Sequence, residues 1–102
     1  MNLERVEAQV GFVLNNLPEP HPIFRLIQRT GDVSVEEMYT VYNMGIGFCV
    51  VVSPVDLERS LGILESEGAD ATVIGEATDD PGKRIMLPGQ SLLGAGGIFR
   101  PA

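Results

Sequence analysis

The apolar positions of this chain fall into blocks separated by proline, glycine and acidic residues, and the densest block runs from Tyr42 to Val52. The run Tyr42-Asn43-Met44-Gly45-Ile46-Gly47-Phe48-Cys49-Val50-Val51-Val52 carries no charge and is rich in aromatic and β-branched residues, which pack well on a pleated surface. It predicts a buried strand, not an exposed edge. Alternation along such a strand puts Met44, Ile46, Phe48, Val50 and Val52 on one face and Asn43, Gly45, Gly47, Cys49 and Val51 on the other. The second face opens with an amide and two positions without side chains, which leaves room for a ligand, a helix or another backbone.

Before this block, Val6, Ala8, Val10, Phe12 and Leu14 alternate loosely and predict a half-buried first strand, with a helix turned by Leu3 and Val6 as the alternative. Pro18, Pro20 and Pro22 follow in a stretch that lacks the donors for a full ladder, so it reads as extended connection with His21 as a solvated loop residue. Pro22 suits the first position of a helix whose stripe is Ile23, Phe24, Leu26 and Ile27, ending at Gly31. Ser34-Val35-Glu36-Glu37 is a capping-box pattern and starts a second helix. That role accounts for Glu36 and Glu37 better than an acid–base or metal pair does.

After the central block, Ser53-Pro54-Val55-Asp56 combines three helix-start signals, and Leu57, Leu61 and Leu64 supply the stripe of a helix closed by Gly68. Gly62, in its interior, costs about 1 kcal/mol against alanine and is compatible with close packing onto a sheet. Ala71 to Ala77 reads as a further strand, which makes the region from 43 to 77 a β-α-β unit with a right-handed crossover. Asp79-Asp80-Pro81-Gly82 is a turn leading to a short strand, Arg84 to Leu87, as its hairpin partner. Residues 89–102 hold Gly94, Gly96 and Gly97 and read as a loose tail. The pattern as a whole predicts one domain over residues 1–102, of α+β class: a two-layer sheet with helices on one face, containing the β-α-β unit.

Composition narrows the function classes. The chain has 102 residues, enough for folding to bury about 65% of the unfolded surface. Fourteen acidic residues against seven basic ones leave a net charge of -7, which disfavours nucleic acid as a partner. There is neither an apolar run long enough for a membrane span nor the charged-then-apolar order of a signal peptide, so the expected location is the cytoplasm, away from membranes. The one cysteine, Cys49, sits in the predicted buried strand and reads as a small hydrophobe rather than a nucleophile. No Ser-His-Asp set, metal-spaced Cys/His cluster or P-loop is present, so catalytic residues and metal ligands are expected to be none.

The segments Pro22-Ile23-Phe24-Arg25-Leu26-Ile27-Gln28, Glu36-Glu37-Met38-Tyr39 and Tyr42-Asn43-Met44-Gly45-Ile46-Gly47 occur in the order seen in one known family. With Val50-Val51-Val52-Ser53-Pro54 and Ala71-Thr72-Val73-Ile74-Gly75-Glu76, they resemble the C-terminal part of the phosphoribosylformylglycinamidine cyclo-ligases, or aminoimidazole ribonucleotide synthetases. The closing residues Leu92 to Phe99 are similar to those of archaeal-type members, and Tyr42 stands where members usually carry phenylalanine. The resemblance covers nearly the whole chain but only the last third of the family pattern; the N-terminal ATP-binding domain is outside it. It implies an ATP-dependent ring closure in purine biosynthesis, converting formylglycinamidine ribonucleotide to aminoimidazole ribonucleotide. ATP and magnesium are implied for the complete enzyme, and neither is expected to bind this chain tightly alone. Asn43, Gly45 and Gly47 correspond to a motif facing the interdomain cleft, which implies a substrate- or nucleotide-binding role, with Glu37 as a further contributor.

By this reading the chain alone is not catalytic. Its expected partners are the missing ATP-binding domain or further copies of itself, with a small ribonucleotide as substrate of the complete enzyme. The alternative is a free-standing, non-catalytic binding or structural module, expected to be a homo-oligomer because a half-domain leaves apolar surface and sheet edges uncovered.

Overall fold

Short strands that alternate inward and outward residues organise the molecule, and the computed structural model describes residues 2–102. Five of them form one mixed sheet: β1 (Gly11–Val13), β2 (Glu76–Thr78), β3 (Ile85–Leu87), β4 (Leu92–Ala95) and β5 (Ile98–Pro101), in the order β2-β1-β3-β4-β5. β1 runs antiparallel to β2, with Phe12 opposite Ala77, and parallel to β3, with Phe12 opposite Ile85. β3, β4 and β5 are joined antiparallel. Ile85 and Leu87 point inward and Met86 outward, as the period of two requires. With Phe12, Leu92 and Phe99 they make the core, against which Leu3, Val10, Leu14, Leu17 and Tyr39 pack.

Three helices accompany the sheet: α1 (Pro22–Gly31), α2 (Val35–Val41) and α3 (Leu57–Ser66). Pro22 opens α1 as expected, but the left-handed terminator is Asp32, with φ of 50°, one residue beyond Gly31. The Ser34 hydroxyl caps α2 by accepting the Glu37 amide at 3.3 Å. α2 lies against β5, where the Thr40 hydroxyl accepts the Phe99 amide at 2.9 Å and the Tyr39 and Phe99 rings meet edge to face. Gly68 closes α3 with φ of 83°, and the Ala69 amide bonds the Leu64 carbonyl at 2.9 Å.

The α+β class stands, but the arrangement inside it differs from the sequence-based expectation in three places. First, residues 47–53 belong to no strand, and Phe48, Val50 and Val51 are exposed; of the predicted buried strand, Asn43 to Ile46 form a turn and the rest is unpaired among the described residues. The β-α-β unit around α3 is therefore not formed, and the parallel pair of the sheet is β1 with β3. A strand is stabilised by its neighbours, and the described residues put none beside residues 47–52. Second, β3 is not the hairpin partner of β2, because β1 lies between them. Third, residues 89–102 are not a loose tail but contain the β4–β5 hairpin, which buries Leu92 and Phe99. Gly96 and Gly97, with φ of 62° and 86°, form its two-residue turn, the primed type that suits strand twist.

Gly62 has nothing within 4 Å of the position its Cβ would take, so close packing onto the sheet is not its role. Gly62→Ala is expected to raise stability by about 0.5–1 kcal/mol through helix propensity, read as a higher midpoint in urea denaturation. No gain would mean that α3 is not helical in solution.

Candidate functional site

The segment linking α2 to the unpaired run is a tight turn. The Ile46 amide bonds the Asn43 carbonyl at 3.0 Å, and Met44 and Gly45 between them have φ of 53° and 97°. Both central residues in the left-handed region define a primed turn. Gly45 takes this conformation freely, whereas methionine does so rarely; here the Met44 side chain is buried, which anchors the turn. The Asn43 Oδ1 accepts the Gly45 amide at 2.8 Å, bracing the loop from within. Strained backbone of this kind is concentrated at binding and switching sites.

Asn43 and Gly45 therefore meet in one turn rather than along the face of a strand. Gly47 lies beyond the turn, and a Cβ there would meet nothing within 4 Å, so no close approach requires glycine at that position. His21, expected to be a solvated loop residue, is exposed yet stands against Gly45: a Cβ on Gly45 would lie 3.0 Å from the His21 Nδ1. Phe24 connects the two elements, its ring centroid 6.4 Å from that of His21 and 6.2 Å from that of Tyr42. Sequence reasoning missed this cluster because α1 folds back to α2 across a three-residue link, 32–34, and separation along the chain carries no sign of it.

The turn stands at the border of two concavities. An apolar cavity of about 440 Å³ lies behind it, lined by Tyr39, Tyr42, Asn43, Gly47, Leu87 and Phe99 among others. A second, more polar groove of about 550 Å³ contains Glu4, Arg5, Thr40, Asn43 and Gly97. Asn43 and Tyr42 belong to both. Glu4 is fixed there by the Gly97 amide, which donates to its Oε2 at 2.9 Å, while its Oε1 is shielded from solvent without a partner. The two hollows differ in polarity, and Asn43 stands where they meet.

Burial pushes the Tyr39 hydroxyl pKa up, partly offset by a hydrogen bond with the Gln90 side chain. Cys49 reaches solvent, contrary to its expected burial, yet the surrounding apolar run desolvates the thiol and raises its pKa, which disfavours the thiolate a nucleophile needs. In the turn before β3, the hydrogen bond from Arg84 holds the Asp80 carboxyl below its ordinary range. Glu37 is engaged in the α2 start and is not a lining residue of either hollow. Among the described residues no group of three or more His, Cys, Asp or Glu is gathered as metal ligands would be, and no helix is long and apolar enough to cross a membrane.

Known proteins resemble this chain over most of its length. The family model described as AIR synthase related protein, C-terminal domain, matches residues 2–88. The phosphoribosylformylglycinamidine cyclo-ligase of Methanothermobacter thermautotrophicus is 51% identical over 78 residues, which is 76% of this chain and 22% of the relative. That of Methanocaldococcus jannaschii is 46% identical over 77 residues, again 76% of this chain and 22% of the relative. A bacterial relative of the same name, from Staphylococcus carnosus, is 37% identical over 86 residues, covering 84% of this chain and 24% of its own length. The chain thus spans about a fifth to a quarter of the curated relatives it matches. No solved structure matches significantly. A domain match over residues 2–88 makes the chain a member of the AIR synthase related family, of which it carries the C-terminal domain pattern.

Proposed function

We propose that this chain supplies the C-terminal part of a phosphoribosylformylglycinamidine cyclo-ligase, acting with a polypeptide region equivalent to the portion of the relatives that it does not span. The reaction is the ATP-dependent closure of formylglycinamidine ribonucleotide to aminoimidazole ribonucleotide in purine biosynthesis, carried out in the cytoplasm. The observation that carries the reading is the 51% identity to a relative of that name over three quarters of the chain. The braced Asn43–Gly45 turn between an apolar and a polar hollow supports it.

The described residues do not by themselves fit the ATP and magnesium that the reaction requires. They gather no metal-ligand cluster, and Gly94 to Gly97 belong to a hairpin, not a phosphate cradle. What this chain contributes is binding: the Asn43 Oδ1 is occupied by the Gly45 amide, so the side-chain NH₂ is the group that donates to a substrate or phosphate oxygen. Gly45 keeps the turn tight, and Gly47 leaves the cavity wall open.

Mixing the chain with the portion of the Methanothermobacter relative that it does not match is expected to restore aminoimidazole ribonucleotide formation, with no turnover by either piece. In the reconstituted mixture Asn43→Asp keeps the oxygen that braces the turn but loses the NH₂ donors, and the rate is expected to fall roughly 10- to 100-fold. A verified complex without turnover overturns the proposal. An unchanged rate in Asn43→Asp removes Asn43 from the site. A second reading, a non-catalytic module, draws on the exposed apolar run at Phe48, Val50 and Val51.

A further inference from the structure

The Asn43–Ile46 turn holds two consecutive left-handed residues, Met44 and Gly45, and such backbone keeps one shape only where its surroundings hold it from more than one side. The buried Met44 side chain holds one side. Asn43 and Met44 line the apolar cavity, whereas Gly45 and His21 line neither hollow, so Gly45 lies on the outer side of the turn, toward His21. The histidine ring stands close there. A Cβ built on Gly45 would come within 3.0 Å of the His21 Nδ1 and 3.3 Å of its Cε1, a spacing that puts the ring edge against the glycine.

That ring is carried on a stiff mount. His21 lies between Pro20 and Pro22, and a residue before proline is confined to extended backbone, in line with its φ of -59° and ψ of 151°. Its carbonyl accepts the Phe24 amide at 3.0 Å, which ties it to the first turn of α1. The Phe24 ring lies 6.4 Å from the His21 ring and 6.2 Å from that of Tyr42, the residue that leads into the turn, measured between centroids. The start of α1 therefore touches the turn twice, at its entry and at Gly45.

We infer that His21 is a positioning residue for Asn43: its ring fixes Gly45, and the 2.8 Å bond from the Gly45 amide to the Asn43 Oδ1 fixes the side-chain amide. Pinning the oxygen of a planar amide sets the direction in which its NH₂ points. That this NH₂ meets a ligand rests on the function proposed above; that His21 sets its direction does not. The ring acts through its bulk, so phenylalanine can replace it and alanine cannot.

Hydrogen exchange of the full chain, followed by NMR, reads the positioning without an enzyme assay. In His21→Ala the Gly45 amide is expected to exchange at least about threefold faster, while the Phe99 amide, bonded to Thr40 at the contact of α2 with β5, keeps its rate. His21→Phe is expected to bring the Gly45 rate back to within about twofold of the unmodified chain. His21 reaches solvent, so neither change removes a core residue. In the reconstituted mixture His21→Ala is expected to slow ring closure at least about threefold, and to cost nothing further once Asn43→Asp is present.

An unchanged Gly45 rate in His21→Ala overturns the inference, as does equal acceleration at Gly45 and Phe99, which marks general loosening. Failure of His21→Phe to restore the rate overturns it as well. Additive losses in the double variant mean that His21 meets the ligand itself, and overturn the route through Asn43. In the unmodified chain a nuclear Overhauser effect between the His21 ring and the Gly45 Hα is expected, and its absence removes the contact without any variant. A mixture without turnover counts against the proposed function alone, and the exchange rates then decide this inference.

Discussion

Met38→Ala is expected to lower the stability of the chain by about 3 kcal/mol, within the range of large-to-small changes in a core. Met38 is 0% exposed, sits in the middle of α2, and accepts the Tyr42 amide through its carbonyl as the helix ends. Truncation to Cβ leaves a hole on the inner side of the helix that carries Tyr39 and Thr40 to β5 and leads into the Asn43 turn. The loss is large in proportion. The fully buried apolar set is small, and the radius of gyration of 14.5 Å exceeds the roughly 13 Å usual for a domain of this length. Total stability is thus expected near the low end of the usual range, about 5 kcal/mol. Urea denaturation followed by circular dichroism is expected to show the midpoint falling by about 2 M. Met38→Leu, which preserves volume, is expected to cost under about 1.5 kcal/mol. A loss under about 1 kcal/mol in Met38→Ala would show that α2 collapses onto the vacated space.

Gly75→Ala is the second large effect, expected at about 3 kcal/mol, and its cause is the opposite one: too little room. A Cβ on Gly75 would stand 2.8 Å from the Leu14 Cα and would overlap the Val13 carbonyl oxygen. Both obstacles are backbone, so no rotamer change relieves them. The chain has to separate at the point where the Asn16 amide bonds the Ile74 carbonyl at 3.0 Å and the Asn16 side chain bonds the Val73 carbonyl at 2.7 Å. Hydrogen exchange is expected to speed up at Asn16 before anywhere else in the sheet, together with a lower urea midpoint. The contrast with Gly62→Ala separates two uses of glycine: the same substitution stabilises where the Cβ meets open space and destabilises where it meets the neighbouring chain. An unchanged midpoint in Gly75→Ala would remove the close approach of residues 13–14 to Gly75.

The positions of helices α1, α2 and α3 were legible because their start and stop signals are local. Pro22 at a first turn, Ser34 three residues before Glu37, and Gly68 after the Leu57-Leu61-Leu64 stripe each act within one or two turns of chain. The Asp80 turn was legible for the same reason, its carboxylate bonding the amides of Gly82 and Arg84. The β4–β5 hairpin carried a local signal too, since Gly96-Gly97 stands between Leu92 and Phe99, but a glycine-rich end reads equally well as a tail until the burial of Phe99 is known. Within the candidate site, the special character of Asn43 and Gly45 was visible, and their geometry was not. Two residues that share a strand face by alternation were placed in a turn by a positive φ at Met44, which nothing in a methionine announces.

Taken alone, the amino-acid order determined the α+β class, the three helices with the Ser34 cap and the Gly68 terminator, the family likeness, and the Tyr42–Val52 run as the chain's most apolar feature. These depend on local chemistry or on similarity along the chain. Tertiary structure decided which strands are neighbours: β1 between β2 and β3, the parallel pair outside the predicted β-α-β unit, and no partner for Gly47 to Val52. It also brought His21 to Gly45 and set Asn43 between an apolar and a polar hollow. The physical reason is that strand-forming types state only that a segment pairs well on a pleated surface. Whether such a run is buried depends on which hydrogen-bonding edge the rest of the fold, or another chain, brings beside it.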